Sequence, residues 1–124
     1  MNRELLENVF VTALEGGSNY WYFIDSNNHK KIRDAVPKSL DPFFSTAILT
    51  AILDHGVEVE VCDAENPEEV IGVLSASTMD ERLSDLEKSN DYSWALQNEE
   101  DGEGDGNSSD VVFQYLVMGE VWFS

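Results

Sequence analysis

The sequence predicts an α+β fold in which four or five helices pack against a small, mainly antiparallel sheet. In some segments apolar residues recur every three to four positions, as in helices, and in others they alternate, as in half-buried strands. The segments do not follow the regular strand–helix–strand order that builds a parallel sheet. The chain has 124 residues, of which 42% are hydrophobic, enough for one domain with its own core. We therefore expect a single domain over residues 1–124.

The chain is predicted to begin with a helix that leads into an aromatic strand. An apolar stripe over residues 3–15 predicts the helix. Gly16-Gly17 would end it, because glycine adopts the left-handed conformation of a helix stop at little cost. The aromatic run over residues 20–24 predicts a strand. Residues 25–40 carry amides, a proline and a basic cluster, and we expect a loop with one helical turn there.

A second helix and a second strand are predicted in the middle of the chain. Asp41-Pro42 is typical of a helix start, with aspartate as the N-cap and proline in the first turn, and Gly56 would end that helix. Valine then alternates with glutamate over residues 57–62, which predicts a strand with its valines in the core. Asn66-Pro67 resembles another helix start and predicts a short helix through Leu74.

The last third is predicted to hold a helix, an acidic loop and a central strand. Thr78 and Glu81 fit a capping box, which predicts a helix of about ten residues, and Asp91 would open one or two more turns. The stretch at about 98–110 is rich in acids and glycines, and we expect a mobile acidic loop. Residues 111–123 are apolar on both faces, as expected of a strand covered on both sides, or of one that forms a homodimer edge.

The charge of the chain is strongly negative and unevenly placed. The formal net charge is −18, and residues 56–124 hold eighteen acids against two basic residues. Such a surface argues against direct binding of nucleic acid or of an anionic membrane. No run approaches the ~18 apolar residues of a membrane span, and the first residues include acids where a signal peptide would be apolar. We expect a cytoplasmic protein that makes no contact with the membrane.

Nothing in the sequence indicates catalysis, a metal site or a cofactor. Cys62 is the single cysteine, and no motif pairs it with His29 or His55, so we expect an inert thiol. The acids and Gly106 of the acidic loop resemble the opening of a calcium loop. The bidentate glutamate that such a loop needs at its twelfth position is replaced by Val112. We predict a protein that is not an enzyme and that uses neither a metal nor a cofactor.

Two short motifs resemble a family of small uncharacterised proteins of tailed bacteriophages and prophages. They are ALEGGSNYW over residues 13–21 and, near the C-terminus, Gln114-Tyr115 followed by Gly119-Glu120-Val121. The family has no assigned activity, so the resemblance assigns no functional residues. It implies a phage-encoded protein made in the bacterial cytoplasm, and by analogy one that binds and blocks host machinery.

Two functions fit these observations. The leading hypothesis is an acidic phage protein that binds and modulates a basic host or phage protein, one that handles nucleic acid, as a DNA mimic or an inhibitor of host defence. Its partner-binding surface would consist of Glu58, Glu60, Glu68, Glu69, Asp80, Glu81 and Asp85. The alternative is a binding protein for a nucleotide-like small molecule, in which glycines, an amide and aromatic rings form a stacking surface. That site would consist of Gly17, Ser18, Asn19, Tyr20 and Trp21.

Overall fold

A computed structural model describes residues 2–17, 20–40 and 44–123 of the chain, and it has the α+β architecture that the sequence predicts. The described part contains six α-helices and one sheet of three strands. The helices are α1 Arg3–Thr12, α2 Ser26–Ala35, α3 Phe44–His55, α4 Ala76–Glu87, α5 Ser93–Glu100 and α6 Gly106–Met118. The strands are β1 Tyr22–Phe23, β2 Val59–Asp63 and β3 Val70–Leu74. The helix count therefore exceeds the four or five predicted.

The sheet is antiparallel throughout, with the strands in the order β1-β2-β3. Across it, Phe23 pairs with Cys62, and Cys62 pairs with Val70 after a register shift in the β2–β3 ladder. Val59 and Val61 are fully buried and Glu60 is exposed. This confirms the prediction for two of the three valines of the alternating segment, whereas Val57 precedes β2 and is half-buried.

The C-terminal segment is a helix, and the prediction of a central strand over residues 111–123 is wrong. Helix α6 lies at the centre of the molecule, where it contacts α1, α4, α5 and β3. Nine of its residues are buried, so its apolar side chains are not confined to one stripe. When a helix is covered on all sides, its apolar residues no longer recur only every three to four positions. Its sequence then resembles that of a buried strand. Gly119, with φ of +73°, ends the helix in a left-handed conformation.

The segment after Asn66-Pro67 is a strand, and the prediction of a helix through Leu74 is wrong. Backbone hydrogen bonds from the amide of Asn66 to Asp63 and from the amide of Glu69 to Asn66 form a turn. Asparagine followed by proline opens turns as well as helices. The run that follows contains two valines and an isoleucine, and these β-branched residues favour an extended chain.

The predicted acidic loop at about 98–110 is mostly helical. Helix α5 extends to Glu100 and α6 begins at Gly106, so residues 101–105 alone separate the two helices. Asp105 caps α6 by accepting a hydrogen bond from the Ser108 amide, and that bond holds the pKa of its carboxyl below the usual range. Glu99 accepts hydrogen bonds from the hydroxyls of Ser108 and Ser109, which joins α5 to α6. Asp105, Ser108 and Glu99 therefore have structural roles at the start of α6.

The remaining differences concern the bounds of a strand and the starts of helices: β1 covers only Tyr22–Phe23 of the strand predicted over residues 20–24. Residues 25–40 contain the ten-residue helix α2 where a loop was expected, because the Asp25 carboxylate caps it at the Asn28 amide. Helix α4 begins at Ala76 with Ser75 as the N-cap, three residues before the predicted cap Thr78. The predicted start at Asp41-Pro42 lies outside the described residues.

Candidate functional site

The seven carboxylates of the predicted partner-binding surface all lie on the outside of the molecule. Each of the seven residues is exposed. They belong to two consecutive units of the chain, the β2–β3 hairpin and helix α4. Glu58 and Glu60 lie just before and within β2, Glu68 and Glu69 lie in the turn before β3, and Asp80, Glu81 and Asp85 lie on α4. We call this set the acidic surface.

The acidic surface has no compensating ion pairs in the part of the chain that the structure describes. The three ion pairs found there within 4.0 Å join Arg3 to Glu7 and Asp54, and Lys30 to Asp34. All of these residues belong to the first half of the sequence. The Lys31 ammonium group approaches the hairpin, but it donates to the main-chain oxygen of Glu58. The carboxylates therefore face solvent unneutralised and project a negative potential.

One of the two basic residues of the second half is turned away from this surface. The guanidinium of Arg82 lies against Gly119 at the end of α6, close enough that a side chain at position 119 would collide with it. Arg82 is half-buried. Arg82 therefore takes part in the packing of α4 against the end of α6.

The aromatic residues of the predicted small-molecule site have structural roles. Trp21 is 1% exposed, and its ring stacks on Phe123 with the centroids 5.5 Å apart. The Trp21 Nε1–H donates to the Asp110 carboxylate at 2.8 Å. This packing leaves the indole no free face for a ligand. Gly17 lies in a π-helical turn after α1, and Ser18 and Asn19 lie outside the described residues.

Tyr20 lies at the surface beside the same carboxylate. Its hydroxyl donates to Asp110 Oδ2 at 3.0 Å, while half of the residue is exposed. Partial burial, and then the adjacent negative charge of Asp110, raise the pKa of Tyr20 to about 12. The phenol is therefore held in its neutral, donating form.

Gln114 extends this network to the C-terminal end of the chain. Its amide nitrogen donates to Asp110 Oδ2 at 3.0 Å and to the Phe123 carbonyl at 2.9 Å. Its amide oxygen accepts from the backbone amides of Trp122 and Phe123, both at 2.9 Å. Trp21 and Gln114, which belong to the two motifs of the phage-protein resemblance, thus meet at one carboxylate. These contacts give both motifs a role in holding the fold together.

Sequence reasoning missed Asp110 and Gln114. They are four residues apart and therefore lie on one face of α6, and both are buried among its apolar residues. Buried polar side chains in a protein are almost always hydrogen-bonded. A polar pair at helical spacing next to an apolar run is the signal that could have indicated a buried network.

Cys62, His29 and His55 are the residues considered for nucleophilic chemistry, and the structure gives each a different environment. Cys62 is buried, and burial, followed by the negative charges of Asp25 and Glu60, raises the pKa of its thiol. A reactive cysteine needs the opposite shift, since the thiolate is the nucleophile. His29 stacks on Phe44 with ring centroids 4.6 Å apart, and His55 is exposed at the end of α3.

Neither a cluster of metal-ligating side chains nor a membrane-spanning helix occurs among the described residues. Over residues 2–17, 20–40 and 44–123, no group of three His, Cys, Asp or Glu side chains is placed to hold a metal ion. Asp105, from the predicted calcium-like stretch, serves instead as the N-cap of α6. No helix in those same ranges has the length and apolar character needed to cross a bilayer.

Comparisons with known proteins add nothing to this geometry. No protein-family model matches the chain. No curated protein and no solved structure resembles it significantly. Functional conclusions therefore depend on the chemistry of its own surface.

Proposed function

We propose that this is a non-enzymatic binding protein whose acidic surface engages a basic surface of another protein. The observation that carries the proposal is the exposure of all seven carboxylates, none of which has a cationic partner within 4.0 Å among the described side chains. A surface of one charge sign attracts a partner of the opposite sign and accelerates its approach. Such binding is screened by salt, because the Debye length is about 10 Å at ~0.1 M ionic strength.

Proteins that handle nucleic acid are the partner class we propose. Their binding grooves are lined with lysine and arginine to contact phosphates. A protein that presents carboxylates to such a groove would exclude the nucleic acid, and would act as a DNA mimic or an inhibitor. The resemblance to phage proteins supports a host or phage protein as this partner. If the proposal holds, duplex DNA and the protein compete for the partner.

The small-molecule hypothesis gains no support from the geometry. Trp21 packs inside the core, and its polar atom is already bonded to Asp110. A ligand would have to displace Phe123 from the indole face. We therefore carry one function forward.

Capture from a bacterial extract with charge variants of the chain tests the proposal. Glu81→Gln/Asp85→Asn removes two charges of the acidic surface, and Glu4→Gln/Glu15→Gln removes two exposed charges elsewhere. We expect the wild-type chain and the Glu4/Glu15 control to retain a basic protein that elutes below about 0.5 M salt. The Glu81/Asp85 variant should retain less. Equal retention by all three chains, or retention that resists ~0.5 M salt, would contradict the proposal.

A further inference from the structure

A groove runs between helices α4 and α5, and the first turn of α1 closes one end of it. It consists of two cavities, of about 360 Å³ and about 240 Å³, which share the walls formed by Glu87, Leu96 and Glu100. The side chains that matter most are Asp80, Leu83 and Glu87 on α4, and Trp94, Leu96 and Glu100 on α5. On α4 these residues recur at three-to-four spacing, so one face of that helix forms a wall.

Apolar side chains line part of the groove, and one of them is an exposed aromatic ring. Leu96 is buried and Leu83 is half-buried. Trp94 is 41% exposed, although indole rings are usually well covered in folded proteins. An indole beside a groove offers its face to apolar side chains and to cations. Burying these groups under a partner would remove apolar surface from water.

The rim of the groove is acidic. Asp80, Glu87 and Glu100 are exposed, and no ion pair to any of them lies within 4.0 Å in the described part of the chain. Among the described residues, those that line the two cavities include no lysine, arginine or histidine. A phosphate-bearing ligand or an anionic surface would be repelled here. A peptide that is merely basic would leave the Trp94 ring and the leucine side chains uncovered.

We propose that this groove docks a basic amphipathic helix of the partner protein. The apolar face of that helix would cover Leu83, Leu96 and Trp94, and its lysine or arginine side chains would meet the carboxylates on the two rims. At 1.5 Å rise per residue, the eight residues from Asp80 to Glu87 give a wall about 12 Å long, enough for two turns of a partner helix. The inference rests on the proposed function and adds a docking element to it: Asp80 of the acidic surface lines the groove, and Glu87 and Glu100 extend that negative charge along its rims.

Two synthetic peptides probe the groove in the full-length chain. One is a helix-forming peptide of about 18 residues, made of leucine, alanine and lysine, with all its leucines on one face. The other has the same composition in an order without an apolar face. Nuclear magnetic resonance reports on the indole N–H of each tryptophan. We expect the amphipathic peptide to bind about tenfold more tightly than the scrambled one and to shift the Trp94 indole signal, with the Trp122 signal unchanged.

Matched variants locate the contact. Glu87→Gln/Glu100→Gln and Glu68→Gln/Glu69→Gln each remove two exposed charges, but the second pair lies in the β2–β3 turn. The rim variant should weaken amphipathic-peptide binding about tenfold, and the turn variant less than about threefold. Trp94→Ala should weaken it about tenfold or more, while Trp122→Ala, at a side chain 53% exposed, should change it less than about twofold.

The outcomes separate the groove from the wider proposal. Three results would each overturn the groove inference: equal binding of both peptides, equal weakening by the turn and rim variants, or a Trp94 signal that does not move. The proposal of an acidic surface that binds basic proteins would survive these results. If neither peptide binds even at low salt, the proposed function fails together with the inference. Circular dichroism of each variant confirms that it is folded, which exposed Glu→Gln changes should leave intact.

Discussion

Replacement of Asp110 by alanine should destabilise the protein strongly, because this carboxylate joins the start of the first strand to the central helix. Asp110 is 7% exposed and accepts hydrogen bonds from Tyr20, Trp21 and Gln114 at 2.8–3.0 Å. In the alanine variant, Trp21 Nε1–H is left buried without an acceptor. The Tyr20 hydroxyl can turn to water, and Gln114 keeps its bond to the Phe123 carbonyl.

The cost can be estimated bond by bond. A hydrogen bond to a charged group contributes about 1.5–3 kcal/mol, and an unsatisfied buried donor costs about 1–3 kcal/mol. With Trp21 carrying the full cost and the other two donors a part, we expect a loss of about 3–5 kcal/mol in the free energy of unfolding. That is a large share of the ~5–15 kcal/mol typical of a domain, so the variant should fold but unfold at much lower denaturant.

Urea unfolding followed by far-ultraviolet circular dichroism measures this loss. The control is Asp85→Ala, which also removes one negative charge but at an exposed position with no hydrogen bond to the side chain among the described residues. It should change the free energy of unfolding by less than about 0.5 kcal/mol. A loss below about 1 kcal/mol for Asp110→Ala, with an unchanged denaturant slope, would refute the role assigned to the network.

Three further predictions concern stability. Burial raises the pKa of Tyr22 from 10.0 to about 12, so the neutral phenol stabilises the fold below pH 10. Up to about 3 kcal/mol is then lost as the pH rises toward 12. Tyr22→Phe should flatten the alkaline limb of a pH–stability curve, and an identical limb would contradict this. Raising the salt concentration from about 0.02 M to about 0.5 M should raise the melting temperature by ~3 °C or more, because salt screens the repulsion within a chain of net charge −18. A fall in the melting temperature would count against that reasoning. Gly72→Ala should cost about 1–3 kcal/mol in urea unfolding, because a Cβ there would collide with the main-chain oxygen of Val117. Gly106→Ala, where nothing lies within 4 Å of the added carbon, serves as its control, and equal losses would show that the α6–β3 contact is not tight.

The elements that the sequence predicted well are those with one face in the core and one in water. The first helix, the helix that ends before Gly56 and the valine strand show periodic patterns because burial selects one side of each. Helix α6 has no such exposed side over most of its length, so its period is hidden. Strand β3 was missed because the Asn66-Pro67 signal does not distinguish a turn from a helix start.

The candidate surface was predictable as a set of residues but not as a site. Charge and alternation were enough to predict exposure of Glu60 and its neighbours, because an unpaired carboxylate is rarely buried. The groove between α4 and α5 depends on how two helices pack against α6, and no local pattern encodes that geometry. Trp94 therefore had no special signal in the sequence. The sequence leaves both a core and a ligand-binding role open for Trp21, because an aromatic segment looks alike in a core strand and in a binding site.

Native mass spectrometry of the full chain, isolated gently from bacterial cytoplasm at low salt, tests the central claim most directly. The account predicts a stoichiometric complex with a basic protein that dissociates as the salt rises toward about 0.5 M. A chain that carries a small-molecule adduct instead, or one that stays free of any basic protein at low salt, would contradict it.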